Sequence, residues 1–321
     1  MESPPPSLFS KRLIVVAGKG GVGKSTVSAA LALVAARRGK RVLLCEIHGT
    51  DRIAHFFEAP PVGPTIRQLR PNLFAVNVQP ADAMREYALM KLRFEAVYRM
   101  VFENRLVSYF LKAFPGLNEL VMLGKVWYHT IEVDKRTRRP RWDLVIVDAP
   151  ATGHGLYFLE FPDVALGAVP SGAGPLISEV TKMRELLLDP VRTSLQIVTL
   201  PEEMPVKEAI DLRARVEAIG VPMGYLVVNG VQVPLLNARE EEDLASIRAF
   251  AGGRFPELET LTEAARWQQE RHRSQEVHFA QIRKFIPMPR IDLPFVADRS
   301  SRSRAIEFLA DKLAAALGET A

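Results

Sequence analysis

Three observations predict an α/β fold with a mainly parallel sheet flanked by helices. Short apolar runs recur along the chain and alternate with helical patterns. The first run leads into a loop rich in glycine and lysine. A later run ends in an aspartate. Near-continuous apolar strands are buried on both faces, so helices must cover both sides of the sheet.

The elements follow in order. Residues 1–10, opening Met1-Glu2-Ser3-Pro4-Pro5-Pro6-Ser7, lack the basic and apolar regions of a secretory leader and read as a disordered tail. Strands are expected at 13–17, 42–45, 73–78, 144–147, 195–198 and 225–228, with a shorter one at 285–288. A helical pattern follows the first strand through Ala29, Ala30, Leu31, Leu33, Val34 and Ala35. The alternation breaks at about 80–135, where helices are expected over 83–112 and 118–132, split by Phe114-Pro115-Gly116. Met84, Tyr87, Met90, Phe94 and Trp127 are among more apolar side chains than one helix stripe needs. The interval therefore reads as a helical insertion subdomain on a single domain spanning 1–321. Its Met- and aromatic-rich faces suit core packing or a groove for an apolar client helix. A more polar helix is expected over 257–283, and charges interrupt every apolar run before it could span a membrane.

The loop after the first strand reads Gly18-Lys19-Gly20-Gly21-Val22-Gly23-Lys24-Ser25-Thr26. Gly18 to Ser25 matches G-x-x-x-x-G-K-[ST], between a strand and a helix as the motif requires. Glycines 20, 21 and 23 let backbone N–H groups wrap phosphates closely. The helix starting near Lys24 adds its positive end. Lys24 supplies charge to the β- and γ-phosphates, and Ser25 offers a hydroxyl to Mg²⁺. The fold class is thus a P-loop nucleotide hydrolase. Residues 144–148 end in Asp148, placed to hold the same Mg²⁺. Thr152-Gly153-His154 follows as a switch segment with Gly153 as pivot.

Composition removes other classes. A net charge of +5 reads as a solvated surface with a mild basic excess, scattered apart from Lys135-Arg136-Thr137-Arg138-Arg139. No specific nucleic-acid binding is expected. Cys45, the single cysteine, excludes an internal disulfide and a cysteine-only zinc or iron–sulfur site within one chain. The location expected is cytoplasmic, with peripheral membrane contact left open.

The run Lys19-Gly20-Gly21-Val22-Gly23-Lys24-Ser25-Thr26 resembles the deviant P-loop shared by nitrogenase iron protein, partitioning ATPases, and the arsenite-pump and tail-anchored-protein-targeting ATPases. Residues 148–159, Asp-Ala-Pro-Ala-Thr-Gly-His-Gly-Leu-Tyr-Phe-Leu, are similar to switch II of that last branch alone. The resemblance implies an ATP-dependent dimer in which Lys19 touches the partner's nucleotide. It also implies nucleotide contacts from Glu202 and Asn229, with Asn229 at the adenine, and places Thr26 at the α-phosphate. Partners would be a second copy or a related subunit, and a hydrophobic helix client or a membrane protein. The alternative is the energising subunit of an anion transporter; a partitioning role fits less well.

Three departures qualify it. His48 stands where the family's switch I carries a water-positioning aspartate, with Glu46 and Asp51 nearby. A neutral imidazole could orient the water, or hydrolysis is slow and a related subunit supplies the carboxylate. Thr260 and Glu263 occupy the positions of the targeting branch's zinc cysteines, so no zinc is expected. The metalloid-binding cysteines of the arsenite pump are also missing.

Overall fold

The computed structural model describes residues 7–92, 116–168, 174–234, 236–251, 255–297 and 301–318. Eight strands form one sheet: β1 (Leu13–Gly18), β2 (Val42–Ile47), β3 (Arg67–Arg70), β4 (Leu73–Val78), β5 (Leu144–Asp148), β6 (Thr193–Thr199), β7 (Met223–Val231) and β8 (Arg290–Pro294). Their order is β3-β4-β2-β5-β1-β6-β7-β8, and only β3–β4 is antiparallel. The described helices are α1 (Lys24–Arg37), α2 (Arg52–Phe56), α3 (Pro80–Leu92), α4 (Leu117–Ile131), α5 (Thr152–Ala168), α6 (Gly174–Leu188), α7 (Glu203–Ile219), α8 (Ala238–Ala251), α9 (Pro256–Phe285) and α10 (Arg302–Ala316).

Strand pleating explains the two cores. Ile14 and Val16 face α1 and α10, packing with Val27, Leu31, Leu309 and Leu313. Leu13 and Val15 face the other way, with Leu123, Phe158, Leu187 and Val206 from α4 to α7. Both faces of β1, β2 and β5 are therefore dry, which matches their near-continuous apolar sequence. Each fully buried Leu or Val here contributes roughly 1.5–3 kcal/mol relative to exposure.

Several boundaries differ from the sequence reading. Of the tail expected over 1–10, residues 1–6 lie outside the described residues, and Leu8–Ser10 instead form a turn whose Leu8 and Phe9 are buried. The strand expected at 285–288 lies at Arg290–Pro294 instead. Ile286 N–H still bonds Ile282 O at 2.8 Å, and Pro287 then stops the helix, so pairing can begin only beyond it. β3 was not anticipated. It buries only Leu69 and carries Arg67 and Arg70, so its apolar alternation is too faint to read, and its charge suits a sheet edge.

The helix expected over 83–112 is seen as α3; residues 93–115, including Phe94, lie outside the described residues. The break at Gly116 has a steric cause. Its φ is +80°, and a Cβ there would sit 1.7 Å from the Phe161 ring. Lys125 Nζ reaches Glu86 Oε1 at 2.9 Å, tying α4 to α3. Leu120, Leu123 and Val126 of α4 are core residues, so this half of the expected insertion packs on the sheet. Among the described residues no helix is long and apolar enough to cross a membrane.

Candidate nucleotide-binding and active site

In a parallel sheet every strand ends on the same side, and β5 lies between β1 and β2. The loops after these three strands therefore converge. They enclose a cavity of about 400 Å³ lined by Gly20, Gly21, Lys24, Ser25, Glu46, His48, Arg52 and Asp148, among others.

The P-loop takes the backbone its glycines allow. Gly21 and Gly23 have φ of +88° and +92°. A Cβ on Gly23 would lie 2.2 Å from Asn229 Nδ2. That amide donates to Val22 O at 2.9 Å, so Asn229, at the end of β7, braces the loop from outside. Lys24 is buried, and its Nζ donates to Lys19 O at 2.9 Å. Burial lowers its pKa; Asp148 opposes that and Arg52 adds to it. Thr26 sits half-buried in the first turn of α1.

Asp148 is 6% exposed. It accepts hydrogen bonds from Ser25 Oγ at 2.6 Å and Ser28 Oγ at 3.2 Å. Burial raises its pKa, opposed by the Ser25 bond and by Lys24. A desolvated carboxylate beside a serine hydroxyl is a hard-oxygen donor set, as Mg²⁺ requires. Ser25 and Asp148 therefore fit the cation, which when bound would neutralise developing charge on the phosphates.

The loop after β2, the expected switch I, is held by a carboxylate and two amides. Glu46, at the end of β2 and in register with Asp148, accepts from Arg52 N at 3.1 Å and Ile53 N at 3.5 Å, capping α2. Burial raises its pKa against those backbone bonds. Gly49 is required beside it, since a Cβ there would lie 2.1 Å from Glu46 Oε1. Gly49 O in turn accepts from Asn77 Nδ2 at 3.1 Å and Gln79 Nε2 at 2.8 Å. His48, with φ of +51°, is exposed on the cavity wall. Asp51 is committed elsewhere, its Oδ1 accepting from Gly63 N at 3.0 Å. Of the three switch I candidates, Glu46 and His48 line the cavity and Asp51 does not.

Arg52 is the residue that sequence reasoning missed. It lines the cavity, and its charge acts on both Lys24 and Asp148. An isolated arginine directly after the irregular loop 48–51 carries no motif; only the turn that starts α2 brings it to the cavity.

The remaining candidates lie at the margin. Lys19 does not line its own cavity; its Nζ pairs with Glu208 Oε1 on α7 at 2.7 Å. Glu202 is exposed where α7 begins and does not reach the cavity lining. α5 starts at Thr152, so the Thr152-Gly153-His154 backbone opens that helix beside the pocket; the side chains of 152–155 lie outside the described residues. A larger cleft of about 600 Å³ lies between α8 and α9, but its Arg248, Arg266 and Arg273 are paired with Glu263, Glu270 and Glu241, leaving no surplus charge for phosphate.

Known proteins are similar to this chain in sequence. A family model described as anion-transporting ATPase matches residues 11–169 and 175–250. ATPase BagA of Mycobacterium tuberculosis is 31% identical over 316 residues, covering 92% of this chain and 90% of that one. An arsenical pump-driving ATPase of Escherichia coli is 29% identical over 281 residues, covering 79% of this chain and 46% of its own. An ATPase ASNA1 homolog of Cryptosporidium parvum is 25% identical over 264 residues, with 71% and 68% covered. With a P-loop, a buried Asp148 and a match along most of its length, the chain belongs to the ArsA-type, anion-transporting ATPase family and hydrolyses ATP.

Proposed function

We propose that this ATPase is a nucleotide-driven dimeric switch that couples Mg²⁺-dependent hydrolysis to the handling of a hydrophobic client or the targeting of a membrane protein. The observation that carries the reading is the position of Lys19. It belongs to the P-loop yet points away from its own phosphate cavity toward Glu208. A lysine so placed can serve the nucleotide of a second chain, as an arginine finger does in trans. Lys24 stabilises phosphate charge, Ser25 and Asp148 hold Mg²⁺, and Thr26 and Asn229 complete the nucleotide contacts. Glu202 would have to move inward to take part. The Thr152-Gly153-His154 segment, joined directly to α5, would carry the state of the γ-phosphate to the helices packed behind it. The whole chain acts as one P-loop domain with a helical insertion at about 80–135.

In the hydrolytic step, water attacks the γ-phosphorus, the bond to the β-phosphate oxygen breaks, and the water proton leaves to a base. His48 is the exposed candidate for orienting that water; Glu46 is committed to capping α2. Sedimentation of the purified chain with a non-hydrolysable ATP analogue tests the switch. A dimer that forms only with the analogue supports it; a monomer in every nucleotide state refutes it. Client handling predicts capture of a synthetic apolar helix in that state, lost in Met90→Asp/Phe94→Asp with ATPase retained. The name of the Escherichia coli relative favours a second reading, the energising subunit of an anion transporter. That reading predicts stimulation by a small anion and stable association with an integral membrane protein.

A further inference from the structure

A parallel sheet starts its strands at one end, so the residues just before each strand share a face. In this chain three of those residues, before β1, β2 and β6, are arginines, although the sequence scatters them. Arg41 precedes β2, and its carbonyl accepts from Asp143 N at 2.8 Å. Arg12 precedes β1, and its guanidinium bonds Trp142 O at 2.6 Å and Asp143 O at 2.9 Å. Arg192 precedes β6, and its carbonyl accepts from Arg12 N at 2.8 Å. Because β2, β5, β1 and β6 are consecutive in the sheet, these groups lie along roughly 15 Å of one edge.

A loop leading into β5 crowns this edge. It is closed by a bridge between Val133 and Pro140, and Lys135, Arg136, Arg138 and Arg139 on it are all exposed. The acids nearby are already engaged. Asp134 accepts from Arg136 N at 2.9 Å and Thr137 N at 2.8 Å. Glu132 binds Arg141, Asp189 binds Arg192, and Asp143 accepts from Arg41 N. Among the described residues, none of the four loop cations forms an ion pair. Aliphatic side chains stand open beside them: Val133 is 50% exposed, Ile131 49% and Val191 75%. Phe74 and Trp142 lie under Arg41 rather than open for base stacking.

We propose that this end of the sheet docks onto an anionic membrane surface. The loop cations meet lipid phosphates, and the flanking aliphatic side chains enter the headgroup layer. The phosphate cavity lies at the opposite end of β5, whose five residues span about 16 Å. Docking therefore leaves ATP and Lys19 unobstructed. The surface is independent of the client reading above and would serve a transporter subunit equally.

Cosedimentation of the full chain with vesicles tests the assignment. Phosphatidylcholine vesicles doped with phosphatidylglycerol should bind it, pure phosphatidylcholine vesicles should bind it weakly, and added salt should release it. Each Lys or Arg near such a surface strengthens binding about fivefold. Replacing Lys135, Arg136, Arg138 and Arg139 by Gln should therefore weaken partitioning by about 100-fold or more, with ATPase unchanged as the control for folding. Equal binding to both vesicle types, or wild-type partitioning by the quadruple variant, overturns the proposal. Tighter binding to duplex DNA or RNA than to the anionic vesicles overturns it too, and assigns the surface to nucleic acid.

Discussion

Glu208→Gln should tighten the nucleotide-dependent dimer. The carboxylate holds Lys19 in its own chain at 2.7 Å, with side chains 30% and 32% exposed. A pair this open to solvent stabilises by only about 0.5–1 kcal/mol. A two-fold dimer must release it twice, a cost of about 1–2 kcal/mol, or roughly 5–30-fold in the dissociation constant. Glutamine keeps the size and one acceptor oxygen while removing the charge, so most of that cost disappears. Sedimentation velocity over a concentration series, with Mg²⁺ and a non-hydrolysable ATP analogue, reads the constant directly. Lys19→Ala should abolish the nucleotide-dependent dimer and lower ATPase by about 10³-fold, as loss of a trans finger does. In the double variant, Glu208→Gln should confer nothing, because the two residues act through one contact. A single variant that dimerises like wild type refutes the reasoning. So does tightening that persists without Lys19, since that would reflect net charge rather than a released lysine.

Three further outcomes follow from the site and the core. Asp148→Asn should fold normally, because the amide oxygen can accept from one serine hydroxyl while its NH2 donates to the other, yet lose ATPase by at least about 100-fold; steady-state phosphate release measures it. Arg52→Ala should weaken ATP about 10-fold or more and ADP less, since a charge-assisted bond at the phosphate end is worth about 1.5–3 kcal/mol. α2 should survive that change, because Glu46 grips Arg52 through its backbone; titration with fluorescent nucleotides checks it, and equal losses for ATP and ADP would exclude a terminal-phosphate role. Glu132 is desolvated, but bonds from His129, Arg141 and Trp142 outweigh burial and bring its pKa down from 4.5 to about 2. A depressed folded pKa stabilises above the unfolded value and is lost as pH falls through the folded one. Denaturant unfolding should therefore separate wild type from Glu132→Gln by about 2 kcal/mol near neutrality, after allowance for solvent screening, with the gap closing between pH 4.5 and 2.

The sequence by itself determined the sheet class, the ATPase family and several residues that line the cavity beside the P-loop. Leu13 to Ser25 carries a strand, a loop and a helix start in one contiguous stretch, and local chemistry dictates that geometry. The apolar runs at 73–78 and 144–147 were legible because burial on both faces leaves little choice of residue. Legibility failed where signal was weak or contacts were long-range. β3 buries a single side chain. The last strand was misplaced because Phe285 still belongs to the helix, and Pro287 and Pro289, which lack an N–H, hold pairing off until Arg290.

Only the tertiary structure decided which chain neighbours become spatial neighbours. It turned Asp51 toward Gly63, set Glu46 as the cap of α2, and brought Arg52 to the cavity beside the P-loop. It paired Lys19 with Glu208, nearly two hundred positions away in the chain. It also gathered Arg12, Arg41, the 135–139 cations and Arg192 onto one edge. A motif is readable because its residues are bonded in series. A charged surface or a switch contact is set by strand order, which no local pattern along the chain encodes.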